Sequence, residues 1–164
     1  SYEEEWSESI SRECSGRVDA LYIFEEKGKP GRRIRTAEIV EGKGVRGDFH
    51  FEDVDAPVSI AAVSAGEWML RQSVQGLCFR RFKANMWIDI PKDELGTIKK
   101  GMQLVCKGIV LEIKKGKGRC FAECERVKRG LPCLLREGCW YAVSVSGGSI
   151  CEGERVKIRQ KNNE

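Results

Sequence analysis

The segment GRCFAECERVKRGLPC, residues 118–133, sets three cysteines among four arginines and lysines. Cys120, Cys124, Cys133 and then Cys139 run as C-x3-C-x8-C-x5-C. Four readings suit such a stretch: a disulfide, a zinc site, a reactive thiolate, or core packing. Structural zinc sites usually carry paired knuckles such as C-x2-C, and no such pair occurs here. His50 is the single histidine. Zinc therefore fits less well than a thiolate. Arg119 directly precedes Cys120, and Arg126 and Lys128 stand close to Cys124. Cations favour the charged form of a neighbouring thiol and lower its pKa. A thiolate is also the form that ligates a soft metal or carries sulfane sulfur. On spacing alone, packed cysteines with solvated cations explain the stretch equally well.

Two other clusters carry possible chemistry. GKGVRGDFH, residues 42–50, is glycine-rich but is neither a P-loop nor a dinucleotide fingerprint. Its glycines permit a close backbone approach. Asp48 and His50, two apart, can share a face, although a lone histidine also serves well as a structural hydrogen-bonding group. RRFKAN, residues 80–85, places Arg81, Lys83 and Asn85 on one side of a strand and Arg80, Phe82 and Ala84 on the other. A planar fork donor, a point charge and an amide on one face would grip a phosphate and a heterocycle. An exposed face of an antiparallel sheet is the plainer reading.

These groups need a frame. The chain has 164 residues, enough for one domain with its own core. Residues 1–60 carry 9 basic and 14 acidic side chains, and residues 61–164 carry 20 and 11. The cationic remainder suits a phosphate-bearing partner, nucleic acid, or no partner at all. No apolar run reaches the ~20 residues of a membrane helix. The acidic SYEEEWSESI start lacks the order of a signal peptide. A cytoplasmic protein without membrane association is expected, with its cysteines as thiols. Cys78 and Cys106 stand in apolar runs and read as core.

Residues 1–15 read as a polar arm, 16–159 as one domain and 160–164 as a polar tail. GRVDALYIFEE alternates as a strand with one buried face. VSIAAV reads as a buried strand. Ser64 and Glu67 have capping-box spacing, and Trp68, Met69, Leu70 and Val74 predict a helix over 65–75 that stops at Gly76. CFRRFKANMWIDI, MQLVCKGIVLEIKK, CWYAVSVSGG and ERVKIRQ read as further strands. Many short strands and few helices give a mainly β fold, a barrel or a sandwich.

Taken in order, these segments resemble the MOSC family, the domain at the C-terminus of molybdenum cofactor sulfurases and in small stand-alone bacterial proteins. GRVDALYIFEEKGKP resembles the opening strand and turn. Gly44, Gly47, Asp48 and His50 match the Gly-x-x-Gly-Asp-x-His signature. RFKANMWI is similar to the Arg-Phe-Arg-Pro-Asn-Ile segment of amidoxime-reducing members. RCFAEC…LPC resembles the cysteine segment of short bacterial members, and YAVSVSGGSICEGERVKI the closing hairpin. The chain departs at Ala84, where the family has Glu or Pro, and at Glu154, where it has Asp. FEDVDAPVS also lacks an Arg-Gln pair.

The resemblance implies a MOSC-type β-barrel with a few short helices and a pocket for molybdenum cofactor, a molybdopterin that carries a phosphate. It further implies one cysteine that ligates molybdenum or receives sulfur. Cys124 fits that cysteine best and Cys120 next. Asp48 and His50 join them as candidate catalytic residues. Gly47, Arg81, Lys83, Asn85 and Arg119 are the candidate cofactor-binding residues. A cofactor or sulfur carrier and a small reductase of N-hydroxylated substrates both follow. The reductase needs an electron-donor protein, since nothing here resembles a flavin, haem or iron–sulfur site. A carrier needs a cofactor-biosynthesis protein. The alternative is a non-enzymatic cationic barrel that binds a protein or nucleic acid, with Trp87, Trp140 and Tyr141 stacking on bases. These aromatics lie in apolar runs, which favours core packing over nucleic acid.

Overall fold

The computed structural model describes residues 13–118 and 120–161. Its strands are β1 (Glu13–Ile23), β2 (Arg32–Ile34), β3 (Thr36–Ile39), β4 (Val58–Ala62) and β5 (Met86–Asp89). They continue with β6 (Gln103–Cys106), β7 (Ile109–Gly116), β8 (Cys139–Ser146), β9 (Gly148–Cys151) and β10 (Arg155–Arg159). Helix α1 spans Val63–Leu70 and the single turn α2 spans Glu125–Lys128. Short 3-10 turns occur at Phe79–Arg81, Lys92–Thr97 and Leu134–Arg136.

Seven strands close into a barrel in the order β10-β6-β7-β8-β4-β5-β1, and β1 pairs back onto β10. Closure leaves these strands no free edge to pair with another chain. Strand β2 hangs on β1, and β3 with β9 forms a separate ribbon. The interior is filled by Leu21, Ile60, Met86, Ile88, Leu104, Leu111, Ile113 and Ile158, all fully buried. Each such side chain contributes about 1.5–3 kcal/mol of hydrophobic stabilisation. The mainly β expectation holds.

One pairing in the barrel is parallel, β4 with β5. Parallel neighbours cannot be joined by a tight turn and need a long crossover. Residues 63–85 supply it, and this explains two departures from the sequence reading. CFRRFKANMWIDI is not one strand: residues 79–81 form a 3-10 turn and only Met86–Asp89 is extended. The helix is shorter than 65–75, starting after Ala62 and ending at Leu70. No side chain caps it. Ser64 lies inside the first turn with its hydroxyl buried and unpartnered, so the Ser64–Glu67 capping box does not form.

Strand β1 starts at Glu13, inside the stretch read as an arm, because residues 13–17 pair with β10. Its alternation slips where the pairing with β5 shifts between Val18 and Ala20. Ala20 and Leu21 are consequently both buried. MQLVCKGIVLEIKK is a hairpin, β6–β7, turning at Lys107 with a left-handed φ of 54°. Glu154 stands beside this turn and pairs with Lys107 at 2.9 Å. Burial opposes its charge, yet hydrogen bonds from Lys107 and Cys106 hold its carboxyl down at about 2. No helix of the described residues is long and apolar enough to cross a membrane.

Candidate functional site

The β4–β5 crossover and the loop after β3 meet at a cavity of about 780 Å³. Its cations are Lys27, Lys29, Arg80, Arg81, Lys83 and Lys115, against the two carboxylates Glu26 and Asp53. Phe24, Phe49 and Tyr141 supply aromatic wall, and His50, Ser59 and Asn85 complete the polar lining. Among the described residues none of Arg80, Arg81, Lys83 and Lys115 forms an ion pair. Their charges therefore add in a concave space, which concentrates anions.

A buried polar knot holds the floor. The Asp48 carboxylate is 4% exposed. It accepts from the Phe24 amide at 2.7 Å, the His50 amide at 3.1 Å and Asn85 Nδ2 at 3.0 Å. Asn85 also donates to the Tyr22 carbonyl at 3.2 Å, and its Oδ1 accepts from the Ser59 amide and hydroxyl at 3.0 and 3.1 Å. Both side chains are committed to the protein itself. Asp48 and Asn85 thus position the wall, fixing Phe24, His50 and Ser59, and hold no reacting group. A buried carboxylate needs such donors to offset its lost hydration. His50 stands half-exposed at the rim with Nδ1 on Asp53 and its ring 3.8 Å from that of Phe49. Gly47, at φ +92°, lets the loop turn so that Asp48 points inward. Gly44 packs its backbone on Pro57, where a Cβ would sit 2.9 Å from the proline Cβ.

Two of the cavity's cations escape strand-based reasoning. Arg80 was expected opposite Arg81, but the 3-10 turn brings both to the cavity. Lys115 reaches it because β7 shifts register against β8 between Ile113 and Lys115. Lys115 then pairs with Tyr141 and lies 5.5 Å over its ring. A bulge of this kind re-aims a side chain, and no local sequence signal marks it here. Lys83 is anchored to the Lys29 carbonyl at 3.0 Å and lies 5.5 Å over Phe24.

The cysteines gather elsewhere. Cys78, Cys120, Cys124 and Cys133 line a smaller pocket of about 110 Å³ with Leu77, Phe79, Phe121, Val127, Leu131 and Pro132. Cys78 lies before the 3-10 turn and not in a strand, where it packs against the core and also lines this pocket, and Cys106 is in the core as expected. Cys124 and Cys120 are therefore pocket residues, but not of the cavity that holds His50 and Arg81. Arg119 lies outside the described residues. All eight cysteines are free thiols, and no group of three or more His, Cys, Asp or Glu among the described residues is placed to hold a metal ion. Phe79 lines the pocket while Arg80 and Arg81 line the cavity, so one turn joins the two.

Cys124 differs from its neighbours. Its Sγ accepts the Leu77 amide at 3.5 Å. That hydrogen bond, with those of the Val127 and Arg126 amides and the Arg126 charge, holds its pKa below the ordinary thiol value. Burial pushes Cys139 up to about 11 and moves Cys133 up as well. Arg126 is only 4% exposed. It donates to the Val74 and Pro132 carbonyls and stacks on Trp68 at 4.8 Å and Phe79 at 5.9 Å. Its Nε has no partner, and no carboxylate pairs with it among the described residues. A buried guanidinium without a counter-ion is costly, and a neighbouring thiolate offsets that cost.

No family model and no curated protein sequence matches the chain. Solved structures do match. The YUAD protein from Bacillus subtilis aligns with a TM-score of 0.66 and 14% identity over 92% of this chain and 99% of that one. A hypothetical protein aligns at 0.61 and 9% identity, over 90% and 69%. YiiM from Escherichia coli aligns at 0.57 and 13% identity, over 92% and 72%. Together with the closed barrel, these likenesses fit the MOSC-type fold that the sequence motifs imply.

Proposed function

We propose that the chain is a molybdenum cofactor-binding barrel that serves as a cofactor or sulfur carrier. The observation that carries this reading is the cationic, aromatic-walled cavity, one 3-10 turn away from a cysteine-lined pocket. Arg81, Lys83, Arg80 and Lys115 suit a phosphate, and Phe24, Phe49 and Tyr141 suit the flat faces of a pterin. Bound there, the cofactor would supply two-electron oxygen-atom chemistry at its metal. The residues do the rest: Asp48 and Asn85 fix the wall, and the cations neutralise the phosphate. His50, held by Asp53, stands at the rim.

The soft ligand is the weaker part of the fit, since no cysteine lines the cavity among the described residues. Cys124, in the adjoining pocket, is the candidate sulfur acceptor. This separation favours a carrier over a reductase of N-hydroxylated substrates, which needs the thiolate at the metal and an electron-donor protein besides.

A nucleic-acid reading has less support. Trp140 is buried, and Trp87 packs edge-on against Phe82 at 5.7 Å, so neither offers a free stacking face. Titration of molybdopterin and of a short single-stranded oligonucleotide at two salt concentrations separates the two readings. The carrier reading expects pterin binding that Arg81→Ala weakens roughly tenfold to a hundredfold, with Arg81→Lys in between. Tight oligonucleotide binding with a steep salt slope and no measurable pterin binding overturns it.

A further inference from the structure

The pocket around Cys124 has properties that no phosphate-bearing ligand uses. It is small, mostly apolar, and open to solvent past Phe121 and Leu131, which are 65% and 38% exposed. One wall is a buried cation whose Nε is unpartnered, and facing that space is a sulfur that accepts a backbone amide. We infer that this pocket is a covalent modification site at which Cys124 captures small apolar electrophiles of the α,β-unsaturated carbonyl class.

The argument runs from charge and size together. The nucleophile in such additions is the thiolate, so the site must hold negative charge on sulfur near neutral pH. The Leu77 and Val127 amides favour charge on the sulfur and the buried Arg126 adds to them, its own aromatic stacking and two carbonyl contacts fixing it in place. Space of about 110 Å³ admits a few heavy atoms and excludes a nucleotide or a pterin. Leu77, Val127 and Leu131 favour a ligand without charge. In the step itself the sulfur attacks the β-carbon and a carbon–sulfur bond forms. The carbon–carbon π bond breaks, its electron pair passes to the α-carbon and carbonyl oxygen, and water delivers the proton. The product is a thioether, and no oxidant or reductant takes part. Cys120 and Cys133 share the pocket, but neither is bonded by the Leu77 amide, and burial raises the Cys133 thiol despite a hydrogen bond from the Leu135 amide.

The test uses the full chain without added cofactor. Native protein is treated with limiting methyl vinyl ketone at neutral pH, and all eight cysteines are followed by peptide mass mapping. Cys124 should react roughly tenfold faster than Cys120 in the same pocket. Phe121→Ser changes an exposed residue and leaves the core alone. It should narrow the preference of Cys124 for the ketone over acrylamide, a polar electrophile of similar size. Labelling of Cys120, Cys78 or Cys133 ahead of Cys124 in the native protein overturns the proposal. So does a Phe121→Ser protein with an unchanged preference. Pterin binding enters neither measurement, so this inference and the carrier reading can fail separately.

Discussion

The cavity and the pocket are both cationic, but they hold their charge by opposite means. In the cavity Arg80, Arg81, Lys83 and Lys115 are exposed, and the rigid part is a neutral-to-acidic floor, the knot of Asp48, Asn85 and Ser59. In the pocket one cation, Arg126, is buried, while Lys117, Arg136 and the apolar rim are half-buried or exposed. Exposed cations keep their hydration until a ligand arrives, so their pull is adjustable and screened by salt. A buried guanidinium acts continuously on its neighbour. The cavity is thus suited to reversible binding of an anion, and the pocket, where backbone amides act with that guanidinium, to lasting activation of one thiol.

The strongest way to break this contrast is to remove the floor. Asp48→Ala leaves the Phe24 amide, the His50 amide and Asn85 Nδ2 without their acceptor. Unpaired buried donors cost about 1–3 kcal/mol each, partly relieved by water, so a loss of about 3–5 kcal/mol is expected. Urea denaturation measures it. A loss below about 1 kcal/mol would mean that the knot does not hold the wall.

A crossed pair of variants comes next. Arg81→Ala should weaken pterin binding roughly tenfold to a hundredfold and leave Cys124 reactivity unchanged. Cys124→Ser should abolish sulfur loading and leave pterin affinity within about twofold, since no cysteine lines the cavity. Isothermal titration and mass spectrometry read the two. Effects that cross over would show that the two regions act as one site.

Much of this was legible in the sequence, and the rest was hidden for identifiable reasons. Alternation and turn residues revealed the mainly β character, because one face of each strand must be buried. The parallel β4–β5 pairing was not legible, since it depends on which strands meet across the barrel. It converted residues 78–85 from an expected strand into a crossover and moved Arg80 to the side of Arg81. The register shift that delivers Lys115 is likewise a property of two strands and not of one. Cys124 could be singled out by its flanking cations. That Arg126 is buried and Lys128 exposed could not, because both look alike beside a short turn.

Salt separates the two regions more gently. The screening length falls from about 10 Å at 0.1 M to about 3 Å at 1 M ionic strength. Pterin affinity should therefore fall severalfold over that range. The rate of Cys124 labelling should change by less than about twofold, because amide hydrogen bonds hold its sulfur and Arg126 is shielded from ions. Equal salt sensitivity of binding and labelling would erase the distinction between exposed and buried charge.

The smallest expected effect lies in the glycines that shape the cavity loop, and it distinguishes two kinds of constraint. Gly47 has φ +92°, and an added Cβ would touch only Ile23 Cδ1 at 3.5 Å, an ordinary contact. Its requirement is conformational, and Gly47→Ala should cost about 1 kcal/mol. Gly44 has the opposite problem, since a Cβ there would meet the Pro57 Cβ at 2.9 Å and its carbonyl oxygen at 3.1 Å. Asparagine tolerates left-handed backbone better than alanine does, so Gly47→Asn should recover part of the lost stability. Gly44→Asn should recover none, because its larger side chain still meets the proline. Thermal melts of the four variants give the comparison, with Cys124 labelling unchanged in all. If asparagine rescues both positions or neither, the loop is not held in the way its geometry indicates. The inward setting of Asp48 would then need another cause.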